Sequence, residues 1–103
     1  MSSLEEGTFD HAQIAQVCKA LSDETRQRIL LLLRNEAMNV GQIVENFTLA
    51  QPTISRHLAV LRQAGLVKAQ RSRQQMIYSL VPAAIDQVWG DFSRAFCDVS
   101  ADK

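Results

Sequence analysis

The chain has 103 residues, 47% of them hydrophobic, which is enough for one packed domain (1–103) and too short for two. Eleven Lys and Arg residues balance eleven Asp and Glu residues, and two cysteines far apart in the sequence do not form a disulfide framework. The longest apolar run, Ile29–Leu33, excludes a membrane-spanning segment, and the acidic N-terminus is unlike a secretory signal, so we expect a cytoplasmic protein without membrane contact.

The charged residues are unevenly distributed along the chain. Residues 1–50 contain four basic and seven acidic side chains, and residues 76–103 contain two basic and four acidic ones. Residues 51–75 contain five basic side chains and no acidic one. A positive segment between two negative ones indicates a binding site for a polyanion on a protein that is neutral as a whole. Charge alone does not exclude the alternative that these basic residues form a solvent-exposed face that binds no polyanion.

Hydrophobic spacing predicts three helices in the first half of the chain. The first covers about 8–21, and its apolar positions are Ile14, Val17, Cys18 and Leu21. Ser22 is the predicted N-cap of the second helix, which runs to about Arg34. A short third helix is predicted over 40–47.

A turn at 48–50 separates the third helix from a fourth, predicted over 51–64 and stopped by Gly65. Two short strands, 66–70 and 76–80, follow as a hairpin with a polar, basic tip. A final helix is predicted over 83–99. The fold class is therefore mainly α with a small β-hairpin, in the order α-α-α-α-β-β-α, a winged helix-turn-helix.

The fourth predicted helix has two chemically different sides. Ile54, Leu58 and Leu61 fall together and face the core, while the opposite side is small and polar, with one arginine and no acid. Such a helix fits a DNA major groove, where Arg binds guanine and Ser, Thr or Gln bind base edges or phosphates. We interpret 40–64 as a helix-turn-helix and 66–80 as a wing. The candidate DNA-binding residues are Gln51, Pro52, Thr53, Ser55, Arg56, His57, Arg62, Lys68, Arg71, Arg73 and Gln74.

Three segments also resemble the ArsR/SmtB family of bacterial winged-helix repressors. They are KALSDETRQRIL at 19–30, QPTISRHLAVLRQAGLV at 51–67 and YSL at 78–80. The resemblance implies a homodimer that binds a palindromic operator in double-stranded DNA and represses transcription, often of its own operon. By position, the family's base-contacting residues correspond to Gln51, Thr53, Ser55 and Arg56. The sequence departs from the family at Ala50, where relatives often have a Ser that caps the recognition helix.

The last predicted helix carries a wide apolar stripe that contains three aromatic residues. A domain of this size can hardly cover that stripe together with the stripe of the first helix. We therefore expect a two-fold dimer formed by helices 8–21 and 83–99, which the resemblance also implies. The candidate interface residues are Ile14, Val17, Ile85, Val88, Trp89, Phe92 and Phe96.

The signal that such a repressor senses is not evident in the sequence. The resemblance implies release of DNA by a metal or a thiol-reactive ligand, but residues able to ligate a metal are missing at both of the family's metal-binding positions. We therefore predict no metal and no cofactor, and a repressor that either acts as a plain autorepressor or responds to a partner protein. Its inducer, a small molecule or a protein, is unknown. A thiol switch that uses Cys18 and Cys97 is the alternative, and two inert small side chains are the simpler explanation of the same residues.

Other classes of protein fit the sequence less well. His11 and His57 are the only histidines and lie in separate elements, and no nucleophile arrangement or phosphate-binding loop occurs, so we do not expect an enzyme. A winged helix that binds another protein is the main rival, and it predicts acidic or apolar residues on the recognition helix. A third alternative is binding of nucleic acid without choice of sequence.

Overall fold

The computed structural model describes residues 10–101, and their side chains as far as Phe96. It confirms the predicted fold class and the order of the helices, and it adds one short strand that the sequence analysis did not predict. In chain order the elements are α1 (His11–Leu21), α2 (Glu24–Asn35), β1 (Met38–Asn39), α3 (Val40–Val44), α4 (Gln51–Gln63), β2 (Val67–Ser72), β3 (Gln75–Leu80) and α5 (Pro82–Ala101). No helix within the described residues is long and apolar enough to cross a membrane.

The junction of α1 and α2 is capped differently from the prediction. Asp23, not Ser22, is the N-cap of α2, and its Oδ2 accepts a hydrogen bond of 3.1 Å from the backbone N–H of Arg26. The hydroxyl of Ser22 instead donates to the carbonyl oxygen of Lys19, at 2.7 Å, and so closes the last turn of α1. Two good capping residues are adjacent here, and each satisfies the helix end that lies nearer to it.

Helix α3 is short, with a side-chain cap at its start and a backbone turn after its end. Asn39 caps its start in a capping box with Gln42, in which each side chain accepts from the backbone N–H of the other residue at 2.8 Å. The helix ends at Val44, earlier than predicted, and the chain continues in a turn that is closed by the amide of Asn46 on the carbonyl of Ile43.

Gly65 ends α4 in the way that the sequence predicts. Its φ of +79° is in the left-handed region, which glycine adopts without steric cost. The amide of Leu66 donates to the carbonyl of Leu61 at 3.0 Å and the amide of Gly65 to that of Arg62 at 2.9 Å, which is the Schellman arrangement. The chain leaves α4 directly into β2.

The three strands form an antiparallel sheet in the order β1-β3-β2. Strands β2 and β3 pair from Val67 opposite Leu80 to Ser72 opposite Gln75, so the hairpin is longer than predicted and its turn shorter, two residues. Strand β1 pairs through Met38 opposite Tyr78. The sheet therefore connects the start of α3 to the base of the wing.

One hydrophobic core joins all five described helices. Among the described residues no polar or charged side chain is buried. The core side chains are Ile14, Val17, Ala20, Ile29, Leu30, Leu33, Ile43, Ile54, Leu58, Leu61, Ala64, Leu66, Val67 and Val88. Because α4 supplies three of its fully buried members, one side of α4 is fixed inward and the other is left at the surface.

Candidate nucleic-acid interface

The outward side of α4 is exposed, polar and free of acids. Ile54, Leu58 and Leu61 are at most 1% exposed, which confirms the predicted inward side of this helix. Thr53 is half-buried at the edge of the exposed surface. The recognition face, as we call the exposed residues of α4, consists of Gln51, Pro52, Ser55, Arg56, Ala59, Arg62 and Gln63.

The start of α4 lies at this same surface and has no side-chain cap. Ala50 occupies the N-cap position with φ −73° and ψ 154°, and it makes no side-chain cap hydrogen bond. Pro52 follows in the first turn, where its missing N–H costs nothing. A helix N-terminus carries partial positive charge, so this end of α4 favours an anionic group.

The wing extends the exposed positive surface beyond α4. Lys68 and Arg71 lie exposed on β2, and Arg73 and Gln74 form the exposed turn. Arg73 has a φ of +63°, a left-handed conformation that a two-residue hairpin turn requires. None of the five basic side chains of segment 51–75 forms an ion pair with another residue of 10–96. Their charges are therefore free to meet a polyanion.

Asn39 connects the wing to the helix-turn-helix. Besides capping α3, it donates a hydrogen bond from Nδ2 to Oε1 of Gln75 at the start of β3. Asn39 and Gln75, together with Ser55 and Tyr78, line an open cleft of about 450 Å³ between α3, α4 and the wing. The recognition face and the wing are thus parts of one continuous surface. The sequence analysis did not single out Asn39, although an Asn followed three positions later by Gln is a signal for a capping box.

His57 lies apart from the other candidate DNA-binding residues. Its side chain is 18% exposed and faces the start of α2 rather than the recognition face. Nδ1 of its ring is 3.1 Å from Nη1 of Arg26, and Nε2 is 4.0 Å from Oδ2 of Asp23. The pKa of Asp23 is below its ordinary value, mainly because its carboxylate accepts the backbone N–H of Arg26, and further because the Arg26 guanidinium attracts it.

The candidate dimer residues on α1 and α5 fall into two groups. Ile14, Val17 and Val88 are at most 7% exposed and already belong to the core of the single chain. The aromatic face, as we call Trp89, Phe92 and Phe96, is 69%, 39% and 58% exposed. Ile85 is half-buried between the two groups. The surface left for a partner is therefore mostly aromatic.

The thiol of Cys18 borders this aromatic face. Cys18 is exposed, and it lines an apolar cleft of about 150 Å³ between α1 and α5. Residue 97 lies on α5, but the side chain of Cys97 is outside the described residues, so a thiol switch that uses both Cys18 and Cys97 stays a prediction. Among the described residues no three His, Cys, Asp or Glu side chains are grouped so that they could hold a metal ion.

The fold and the surface together define a class of protein. A short helix, a turn and an exposed polar helix are held on one core and followed by a basic hairpin, which is the architecture of a winged helix-turn-helix DNA-binding protein. A family model described as "Bacterial regulatory protein, arsR family" matches residues 23–69, from the cap of α2 into β2.

Named relatives and solved structures agree with this match. The transcriptional repressor SdpR of Bacillus subtilis is 45% identical over 64 residues, which are 62% of this chain and 71% of that protein. The transcriptional activator HlyU of Vibrio cholerae is 29% identical over 95% of this chain and 91% of that one. An ArsR-like transcriptional regulator from Rhodococcus sp. RHA1 superposes with a TM-score of 0.83 at 25% identity, over 89% and 87% of the two chains. The chain belongs to the arsR family of bacterial regulatory proteins.

Proposed function

We propose that the protein is a cytoplasmic, homodimeric, sequence-specific repressor of transcription that binds a palindromic operator, represses its own operon, and has no catalytic activity. The observation that supports this best is the acid-free, exposed polar side of α4 beside a basic wing. SdpR, a relative named as a transcriptional repressor, supports repression rather than activation. HlyU, named as an activator, is the less similar of the two.

The two parts of the surface have different roles in this proposal. Arg56 carries the only positive charge in the middle of the recognition face, and we assign it a bidentate contact to guanine. Gln51, Thr53 and Ser55 contact base edges around it. The remaining contacts are to the phosphate backbone and fix the orientation of the protein without selecting a sequence. They come from Pro52 and Arg62 on α4 and from Lys68, Arg71, Arg73 and Gln74 on the wing.

The dimer brings two such surfaces to one operator. The aromatic faces of two chains pack on each other about a two-fold axis, with Ile85 beside them. Ile14, Val17 and Val88 support them from the core. A two-fold dimer sets two recognition helices about 34 Å apart, one turn of the duplex, which explains why the operator is palindromic. Domain 1–103 then acts as one DNA-binding half of the dimer.

A thiol-switched repressor is the second candidate. The exposed Cys18 lies in the apolar cleft beside the aromatic face, so an oxidised or persulfidated thiol there would change how α1 and α5 pack. A protein-binding winged helix is disfavoured, because no acidic or large apolar side chain is exposed on the described surface of α4.

The experiment is a fluorescence-anisotropy titration of labelled DNA from upstream of the gene, against scrambled DNA, at two salt concentrations, with thiols reduced and then oxidised. We expect tight, salt-sensitive binding that prefers the upstream DNA. Release on oxidation that is absent in Cys18→Ser supports the thiol switch, whereas indifference to oxidation supports the plain repressor. Equal binding to scrambled DNA and to every other promoter fragment tested contradicts sequence-specific repression.

A further inference from the structure

A cluster of three polar side chains joins α4 to the junction between the end of α1 and the start of α2. The three are Asp23, Arg26 and His57. Arg26, on α2, donates from Nε to the carbonyl of Ala20 at 2.8 Å and from Nη2 to the carbonyl of Lys19 at 3.0 Å, both at the end of α1. Its third nitrogen, Nη1, is 3.1 Å from Nδ1 of His57 on α4. The guanidinium of Arg26 therefore binds the end of α1, which lies on the predicted dimer side, and also the recognition helix α4.

This contact fixes the protonation state of His57. A guanidinium can only donate hydrogen bonds, so Nδ1 of His57 has to accept, and the ring must be neutral with its proton on Nε2. That proton then points toward the side of the ring where Oδ2 of Asp23 lies, 4.0 Å from Nε2. The ring is also mostly covered, with 18% of its side chain exposed. The hydrogen bond between α4 and Arg26 exists only while His57 is uncharged.

We propose that His57 is a positioning residue that, when neutral, ties α4 to the junction of α1 and α2 through Arg26, and that protonation of His57 releases this tie and weakens operator binding. The proposal rests on the DNA-binding function proposed above and adds to it a sensitivity to mild acid. In this role His57 does not contact DNA; it acts through the placement of the recognition face.

The charges around the ring determine what protonation does. The charged groups that meet His57 within the described residues are Arg26 and Asp23, both at the start of α2, and α1 reaches the cluster through the backbone carbonyls that Arg26 binds. A charged ring places a second cation against Nη1 of Arg26 and gains attraction to Asp23 on its other side. Asp23 stays ionised in mild acid, because its pKa is lowered below its ordinary value. Protonation therefore shifts the ring from Arg26 toward Asp23.

A direct phosphate contact by His57, one of the candidate DNA-binding residues of the sequence analysis, predicts the opposite dependence on pH. A charged imidazole at a phosphate strengthens binding as the pH falls, and it steepens the salt dependence by about one phosphate equivalent. A charged imidazole against Arg26 weakens binding instead and leaves the salt dependence unchanged. The sign of the pH effect thus separates the two roles.

The first measurement is operator affinity of the whole chain between about pH 7.5 and about pH 5.5, the range in which an ordinary histidine titrates. We expect wild-type affinity to fall as the pH is lowered through this range. His57→Asn keeps an acceptor near the position of Nδ1 and cannot be protonated, so it should bind like wild type at the higher pH and lose the pH dependence. His11→Gln, at the exposed start of α1, is the matched control and should keep it.

The second measurement needs no DNA, which separates failure of this proposal from failure of the proposed function. Amide hydrogen exchange of α4 in the free protein, corrected for its intrinsic pH dependence, should speed up in mild acid in the wild type and not in His57→Asn. Unchanged exchange, tighter operator binding at low pH, or a pH effect that persists in His57→Asn would each overturn the proposal. If α4 exchanges faster in mild acid but the protein selects no DNA sequence, the proposed role of His57 stands. The proposed repressor function is then rejected.

Discussion

The molecule has two exposed surfaces of opposite chemistry on one small core. The recognition face and the wing expose small polar and basic side chains, whereas the α1–α5 side exposes three aromatic rings of which Trp89 is 69% uncovered. A polar, positive surface gains most from releasing the counterions of a polyanion, so its binding weakens with salt. An aromatic surface gains from the apolar area that it removes from water, so its binding is nearly independent of salt. The difference means that high salt should weaken DNA binding and leave the dimer intact.

The largest expected effect comes from placing a charge in the aromatic face. Trp89→Glu should convert the dimer to a monomer, because a buried carboxylate without a partner is strongly unfavourable. Operator affinity should then fall by about 10²- to 10⁴-fold, because two half-sites no longer bind as one unit. Sedimentation velocity and anisotropy would measure both effects.

The matched control for this change is Gln87→Glu. It adds the same charge to an exposed position of the same helix and should leave the dimer intact. If the Trp89→Glu protein sedimented as a dimer with unchanged operator affinity, the aromatic face would not be the interface.

The next largest effect is expected in the middle of the recognition face. Arg56→Ala should cost about 1–3 kcal/mol of operator affinity and relax the preference at one base pair, because a bidentate contact to guanine is lost. Titrations against an operator series with single base-pair changes would measure it. Arg34→Ala, exposed at the end of α2, removes the same charge elsewhere and should have little effect. An equal loss of affinity for all DNA sequences would instead indicate that Arg56 contacts the phosphate backbone of the DNA.

The wing should show a smaller and unselective effect. Arg71→Ala removes one charge from exposed β2, and we expect the slope of log affinity against log salt to fall by about one for each half-site. All sequences should weaken alike. Gln70→Ala, the neighbouring exposed position, should leave the slope as it is, and a slope unaltered by Arg71→Ala would place the wing away from the DNA.

How much of this site the sequence predicts depends on the range of the interactions involved. The spacing of Ile54, Leu58 and Leu61 is a local pattern, and it correctly predicts which side of α4 is buried and which is exposed. Strand β1 has two residues, too few for any periodicity, and exists only because β3 pairs with it. It could not be predicted from its own residues.

His57 and the apolar stripes needed information about distant neighbours. His57 lies on α4 next to exposed residues, but its surroundings are set by Arg26, 31 positions earlier in the chain. The helical spacing of the apolar residues predicts an apolar stripe on α1 and another on α5. It does not predict which of these residues, such as Val17 and Val88, pack inside the chain and which are left for a partner.

The smallest expected effect is on stability. Ala50→Ser supplies a hydroxyl at a cap position whose backbone is already extended, and we expect about 1 kcal/mol of added stability. The thermal midpoint should rise by about 4–8 °C for a domain of this size. Ala59→Ser, which adds a hydroxyl within the exposed middle of the same helix, is the control and should not raise it. An unchanged midpoint in Ala50→Ser would show that the uncapped start of α4 costs the fold nothing.

Asn39 sets a limit on the operators that this protein accepts. It caps α3, pairs with Ile77 in the sheet and binds the side chain of Gln75, so it holds α3, the first helix of the helix-turn-helix, to the wing. A single base pair inserted between the bases under α4 and the phosphates under the wing displaces them by about 3.4 Å and rotates one group relative to the other. We expect such an operator to compete poorly in a titration although every contacted base is retained. The protein thus constrains the distance between these contacted groups of the operator as well as the base sequence.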